Sequence, residues 1–164
     1  MSVLPGLVVV TDRGGHLSNA RMFLDGLGAV PEAIVTTAGP ELATLARAGA
    51  AVHVIPYMFF WLGKRRIWSL VGFARLVFVS ARIALRLRPR WVISFGAADT
   101  VPFCYLSRAL GARIFHVECM NQVVSPSVTG RLLYPIVTAL FVQWEELRSR
   151  YGKKARYAGW VISA

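Results

Sequence analysis

Acid is what this sequence most lacks. Eight Asp and Glu stand against 19 Lys and Arg in 164 residues, a formal net charge of +11. Cysteine is almost as scarce: Cys104 and Cys119 form no C-x-x-C pair and have no metal-type neighbours. That excludes a disulfide scaffold and a cysteine-built metal centre, and it leads us to expect a reduced, cytoplasmic compartment and no metal. No apolar run reaches the ~20 residues of a crossing helix. Only six residues precede the first apolar run at Leu7, which leaves no room for a signal peptide. Repeats, low-complexity tracts and nucleic-acid motifs are also missing. What is present is oil: 55% of residues are apolar and mean hydropathy is +0.52. Oily and basic together point to a surface of anionic lipid and away from nucleic acid. The length suits one domain, residues 1–164, with a substantial core.

The chain is organised around Leu7–His16, LVVVTDRGGH. A short β-branched run bounded by turn residues reads as a strand buried on both faces, as in a parallel sheet. Behind it, Leu17, Ala20, Phe23 or Leu24, and Leu27 share one helical face. The unit is strand, Gly14-Gly15 turn, and helix, with His16 at the turn. Ligands of open α/β sheets bind beyond the carboxyl ends of the strands. Glycines there permit positive φ and close backbone approach, and a helix start offers free N–H groups to an anion. A solvated histidine at an ordinary βα turn fits these residues equally well.

Further strands are expected at Ala33–Thr37, Ala51–Ile55, Trp91–Phe95, Arg113–Val117 and Ala139–Gln143. Helices are expected at Glu41–Ala48, Thr100–Leu110, Arg131–Val137 and Trp144–Tyr151, and the basic stretch Gly152–Tyr157 precedes a last short strand. His53 and His116 fall inside strands and read as structural, and Asp99 reads as an N-cap. This alternation argues an α/β fold, a Rossmann-like parallel sheet with helices on both faces and right-handed crossovers.

Residues 57–91 differ in character. Eight basic residues lie there, Lys64, Arg65, Arg66, Arg75, Arg82, Arg86, Arg88 and Arg90, and no acid. Arg75, Arg82 and Arg86 are spaced i, i+7, i+11 and share a helical face. This reads as an in-plane amphipathic helix whose arginines reach lipid phosphates. The aromatic cluster ahead of it, with Trp61 and Trp68, resembles an interfacial belt. The membrane-contacting set is therefore Trp61, Lys64, Arg65, Arg66, Trp68, Arg75, Arg82 and Arg86. A crossover helix with solvated arginines is the plainer alternative.

Three stretches carry a resemblance. These are Gly-Gly-His after the first strand, GAADTVPF after the fourth, and VECMNQ followed by SPSVTGRLLYP and FVQWEEL. Together they resemble the acceptor-side, membrane-associating subunit of split GT-B glycosyltransferases. Members are the anchor subunit of the eukaryotic dolichol-linked GlcNAc transferase and bacterial exopolysaccharide counterparts. The order of motifs is also similar to the N-terminal half of the lipid-linked muropeptide GlcNAc transferase. The resemblance implies the N-terminal half of a GT-B enzyme, with a separate GT-B C-terminal-type subunit binding the UDP-sugar, so that no cofactor is held by this chain. It also implies a polyprenyl-diphosphate-linked glycan acceptor and a place on the cytoplasmic face of the cell membrane, peripheral or monotopic. Two departures stand out. Asp12-Arg13 replace the small residues usual before Gly-Gly-His, and no spanning helix opens the chain as in the eukaryotic member, which leaves residues 57–90 to carry membrane contact.

Inverting transfer needs a base for the acceptor hydroxyl and stabilisation of the leaving diphosphate. His16 suits the base, since imidazole titrates near neutrality; His16 or the Gly14 and Gly15 amides suit acceptor phosphates instead. Glu118, at a strand end, is a second candidate as base, orienter of His16 or hydroxyl ligand, against a plain ion pair with Arg131. Asn121 and Gln122 are candidate sugar contacts. The alternative from another class is a non-catalytic membrane recruiter or scaffold for a partner enzyme.

Overall fold

A computed structural model describes residues 2–42, 45, 49–62 and 65–159, with backbone alone for 60–62 and 65–68. Seven parallel strands form the main sheet. They are β1 (Ser2–Val10), β2 (Ala29–Thr37), β3 (Ala51–Ile55), β6 (Trp91–Ser94), β7 (Arg113–Val117), β8 (Ala139–Val142) and β9 (Ala155–Tyr157). Their order is β3-β2-β1-β6-β7-β8-β9. From β1 the chain winds outward one way through β2 and β3, and from β6 it winds the other way. The crevice above the β1/β6 pair is thus the topological switch point where such sheets bind ligands.

Alternation along the strands sorts the core into two layers. Val8, Val10, Val92, Ile114, Leu140 and Val142 face one side. Four helices cover it: α2 (Leu70–Leu87), α3 (Val101–Ala109), α4 (Val128–Leu133) and α5 (Glu145–Tyr151). They bury Leu76, Phe103, Leu133 and Leu147 completely. Val9, Ile34, Phe95 and Val117 face the other side, against Leu17, Ala20 and Leu24 of α1 (Gly15–Leu27). Beside α1 on that face an apolar trough of about 380 Å³ runs over Ile93, Phe115 and Phe141.

The sequence reading needs four amendments. β1 and β2 begin earlier than expected, pairing Ser2 with Ala29 and slipping register between Leu4 and Val8. The slip accommodates Pro5, which donates no hydrogen bond, and Gly6, at φ 78°. The aromatic cluster at 57–68, for which no element is expected from sequence, contains an antiparallel hairpin, β4 (Phe59–Leu62) and β5 (Arg65–Trp68). The helix expected at Arg131–Val137 starts instead at Val128, where the Ser127 hydroxyl accepts from Gly130 N at 2.8 Å as N-cap. Strand β9 lies inside the basic stretch 152–157, where Ala155 is buried and Leu140 pairs with it. Residues 43, 44 and 46–48 of the helix expected at Glu41–Ala48 lie outside the described residues, as do 160–164.

Helix α2 is a crossover helix packed on the sheet, the plainer of the two readings, with its arginines on one flank. Eighteen residues give it a length of about 27 Å. The Ser69 hydroxyl caps it, accepting from Gly72 N at 3.0 Å. Leu76, Ser80, Ile83 and Ala84 face the sheet. Arg75, Arg82 and Arg86 are all exposed on one flank. The outermost face between is apolar: Leu70, Val71, Phe78 and Leu85 are 55–82% exposed. Lys64 and the side chains of Trp61, Arg65, Arg66 and Trp68 lie outside the described residues. Among the described residues no helix is long and apolar enough to cross a membrane.

Candidate functional site

The switch point brings the ends of β1, β6 and β7 together, and with them the residues singled out from sequence. A cleft of about 170 Å³ there is lined by His16, Gly96, Glu118, Cys119, Asn121 and Gln122, among others. Gly14 and Gly15 are exposed on the turn beside it and are not among its lining residues. Gly14 holds φ 70° and its carbonyl accepts from Ser18 N, starting α1.

His16 is fixed from two directions. Its Nδ1 lies 2.8 Å from the carbonyl oxygen of Phe95. A carbonyl only accepts, so Nδ1 carries the proton and Nε2 is the ring's remaining acceptor. The Cys119 thiol hydrogen-bonds the same imidazole, and this contact first of all lifts His16 above the ordinary histidine value, against the effect of burial. Reciprocally, His16 draws Cys119 below the ordinary thiol value, with burial opposing. Asn19 Nδ2 stands 3.7 Å from Cys119 Sγ. Gly96, at φ 105°, lets the backbone pass the ring: a Cβ there would meet His16 Cε1 and Nδ1 at 3.0 Å.

Glu118 turns the other way, because the alternation of β7 continues just past its end. Its carboxylate is 2% exposed and fully engaged. Oε1 accepts from Ser127 N at 2.8 Å and from the Tyr151 hydroxyl in a short hydrogen bond. Oε2 accepts from Cys119 N at 3.2 Å. His116 Nε2 stands 3.5 Å away, close enough for charge attraction but without an aligned hydrogen bond. Burial would push the acid up, yet His116, Tyr151 and Ser127 N outweigh it and hold Glu118 at about 2. Gly130 packs against this network with no room for a side chain. At neutral pH Glu118 is an anion that ties the 118–127 loop to α4 and α5. It makes no hydrogen bond to His16 and no ion pair with Arg131 among the described residues.

The loop has further backbone anchors: Gln143 Nε2 donates to Glu118 O at 2.9 Å, and Trp144 Nε1 to Met120 O at 2.7 Å. Asn121 is exposed and Gln122 half-buried at the rim. Asp99 is not an N-cap. It is 2% exposed and its Oδ1 accepts from Met58 N at 2.9 Å, pinning the chain ahead of β4 to the 98–100 turn. His53 sits half-buried on edge strand β3, as read, lowered by burial and by Arg86. Asp12 and Arg13 are used locally: Asp12 Oδ1 accepts from Arg13 N and Thr37 Oγ1, and the Arg13 guanidinium lies 5.2 Å over the Tyr57 ring.

Sequence reasoning misses two members of the site. Cys119 shows no partner in its own neighbourhood, whereas His116, structural as read, is fully buried beside Glu118. Tyr151 lies 33 residues from Glu118 and carried no local signal.

A seven-stranded parallel sheet with a cleft at its switch point defines a Rossmann-like fold, and solved structures agree. The chain is similar to UDP-GlcNAc 2-epimerase from Methanocaldococcus jannaschii, with a TM-score of 0.68 and 13% identity over 99% of this chain and 46% of that one. It is similar to MurG of Acinetobacter baumannii, with a TM-score of 0.62 and 18% identity over 86% of this chain and 40% of that one. Identities this low speak for the fold. Residues 62–161 match the family of Alg14-like oligosaccharide biosynthesis proteins, and the chain belongs to that family.

Among relatives, the UDP-N-acetylglucosamine transferase subunit ALG14 of Candida albicans is 28% identical over 92% of this chain and 76% of its own length. The subunit of that name in Rattus norvegicus is 25% identical over 96% and 83%. The alg14 subunit of Schizosaccharomyces pombe is 33% identical over 57% of this chain, a match that spans 45% of the relative's length.

Proposed function

We propose that this chain is the acceptor-side subunit of a two-chain inverting glycosyltransferase. It holds a polyprenyl-diphosphate-linked glycan at the membrane surface, on the cytoplasmic face, and recruits a GT-B C-terminal-type subunit that binds the UDP-sugar. UDP-GlcNAc is the donor suggested by the names of the relatives. A bacterial exopolysaccharide pathway is one setting in which such a pair would work.

The observation that carries the reading is His16, held at the cleft with its proton on Nδ1, where an acceptor hydroxyl takes the place of the Cys119 thiol at Nε2. In that state the imidazole takes the proton of an acceptor hydroxyl as the glycosidic bond forms. Glu118, held as an anion, is the loop's anchor in this scheme, and the Gly14 and Gly15 amides face the acceptor phosphates. Asn121 and Gln122 at the rim are the sugar contacts. Three further features support a partnered, membrane-bound subunit. The fold matches under half of each of the two solved chains. The trough over Phe115 and Phe141 offers an apolar surface of the kind a partner covers. The arginine flank and apolar outer face of α2 suit anionic lipid.

The test is transfer of radiolabelled sugar from UDP-GlcNAc to endogenous lipid by membranes carrying this chain and its co-purifying partner. His16→Gln is expected to lower turnover about 100-fold or more with the complex intact. Full activity in that variant would leave the chain a recruiter without chemistry.

A further inference from the structure

A second concavity adjoins the cleft, with the opposite chemistry. Between α2, α3 and α4 lies a groove of about 490 Å³, lined among others by Met58, Phe73, Val77, Pro102, Leu106 and Leu132. Its walls are almost entirely apolar. Pro102 lacks an N–H, and the hydroxyl of Tyr105 is already spent on the carbonyl of Leu132 at 2.8 Å. Such a groove accepts hydrocarbon and nothing polar.

Its two ends say which hydrocarbon. At one end it meets the polar cleft across single residues: Ala97 lines the cleft and Ala98 the groove, while Thr129 lines the cleft and Val128 the groove. At the other end Leu70, Phe73 and Val77 form one i, i+3, i+7 row along α2, and Leu70 is 82% exposed beside Val71 at 80%. The groove therefore lies between an exposed apolar face and a cleft with a fixed imidazole, beside which Gly14 and Gly15 are exposed on the turn. Its shape and polarity call for one molecule with a long apolar chain and an anionic head. The surrounding stretch 57–91 carries no acid to repel that head.

We infer that this groove binds the hydrocarbon chain of a prenyl diphosphate, threading it from the bilayer so that the head group enters the cleft at His16. The inference rests on the acceptor-side reading and adds to it a defined seat for the lipid. The lipid is gripped along its length, and adsorption of the protein to the membrane alone does not position it.

A tritiated farnesyl diphosphate analogue ending in a benzophenone tests this in detergent, without vesicles or partner. Crosslinks are expected on peptides from Met58–Leu106 and Val128–Leu132. Val77→Trp fills the groove from α2, and Ala98→Leu fills it from the opposite wall. Each is expected to weaken probe binding at least tenfold, with vesicle co-sedimentation changed less than twofold and the circular dichroism melt retained by at least one of them. Binding unchanged in the folded variant, or crosslinks only outside these segments, would overturn the groove. Transfer by the two-chain complex that ignores both variants would also overturn it while leaving the acceptor-side reading in place. Groove-dependent binding in a complex that transfers no sugar would do the reverse.

Discussion

Replacing Glu118 by Gln removes a buried charge and keeps the shape, so its effect follows from the network around it. A carboxyl held at about 2 against an ordinary 4.5 contributes about 3 kcal/mol of stability at neutral pH. The sign follows from the depression. The contribution is complete above the unfolded value near 4.5 and is lost as pH falls toward the folded value near 2. The amide nitrogen of Gln would also face Cys119 N, now 3.2 Å from Oε2, setting donor against donor. At pH 7 the variant is expected to melt about 6–12 °C below the parent chain. At pH 2.5 the charge-dependent part of that gap shrinks to about 1 kcal/mol. Far-UV circular dichroism melts of both proteins between pH 7 and pH 2.5 measure it. A gap as wide in acid as at neutrality would show that Glu118 acts through packing alone and would refute the electrostatic account.

Gly130→Ala puts a Cβ onto the Tyr151 hydroxyl and 3.0 Å from Glu118 Oε1; a loss of about 1–3 kcal/mol in urea unfolding is expected. Cys119 is half-exposed and drawn down by His16, while burial pushes Cys104 up to about 12. Iodoacetamide should therefore modify one thiol rapidly, and His16→Gln should slow that reaction, both read by peptide mass spectrometry. Arg75, Arg82 and Arg86 together changed to Ala should weaken co-sedimentation with anionic vesicles roughly a hundredfold at low salt, at about 1 kcal/mol per arginine, with little change on neutral vesicles.

The parallel sheet was legible because its strands are buried on both faces, so that runs such as Leu7–Val10 and Arg113–Val117 announce themselves by composition. His16 and Glu118 were legible because the ends of those runs are where a doubly wound sheet places its ligands. Their partners were not. Cys119 meets His16 and Tyr151 meets Glu118 only through the order of strands and the packing of α5, neither of which leaves a local pattern. The hairpin β4–β5 was hidden for a different reason. Its aromatic and basic residues satisfy the compositional rule for an interfacial segment, and that composition masks the two short strands. Asp99 shows the limit of local rules. An acid ahead of a helix reads as a cap, and here a chain segment 41 residues away has the carboxylate instead.

The strand order also sets a timetable. β1 is made before the other strands and lies inside the sheet, yet its second neighbour begins at Trp91, about 80 residues later. At ~5–20 residues per second of synthesis, one edge of this interior strand stands open for about 4–16 s. During that interval the apolar segment that becomes β4, β5 and α2 leaves the ribosome with no finished sheet to pack against. His16 waits as long for the carbonyl of Phe95, and Glu118 waits for Tyr151, the last helical residue among those described. No part of the cleft exists in a half-made molecule. A nascent chain cut short before α5 would carry every residue that lines the cleft but not Tyr151, so the buried carboxylate of Glu118 would lack its hydroxyl partner until synthesis is almost over.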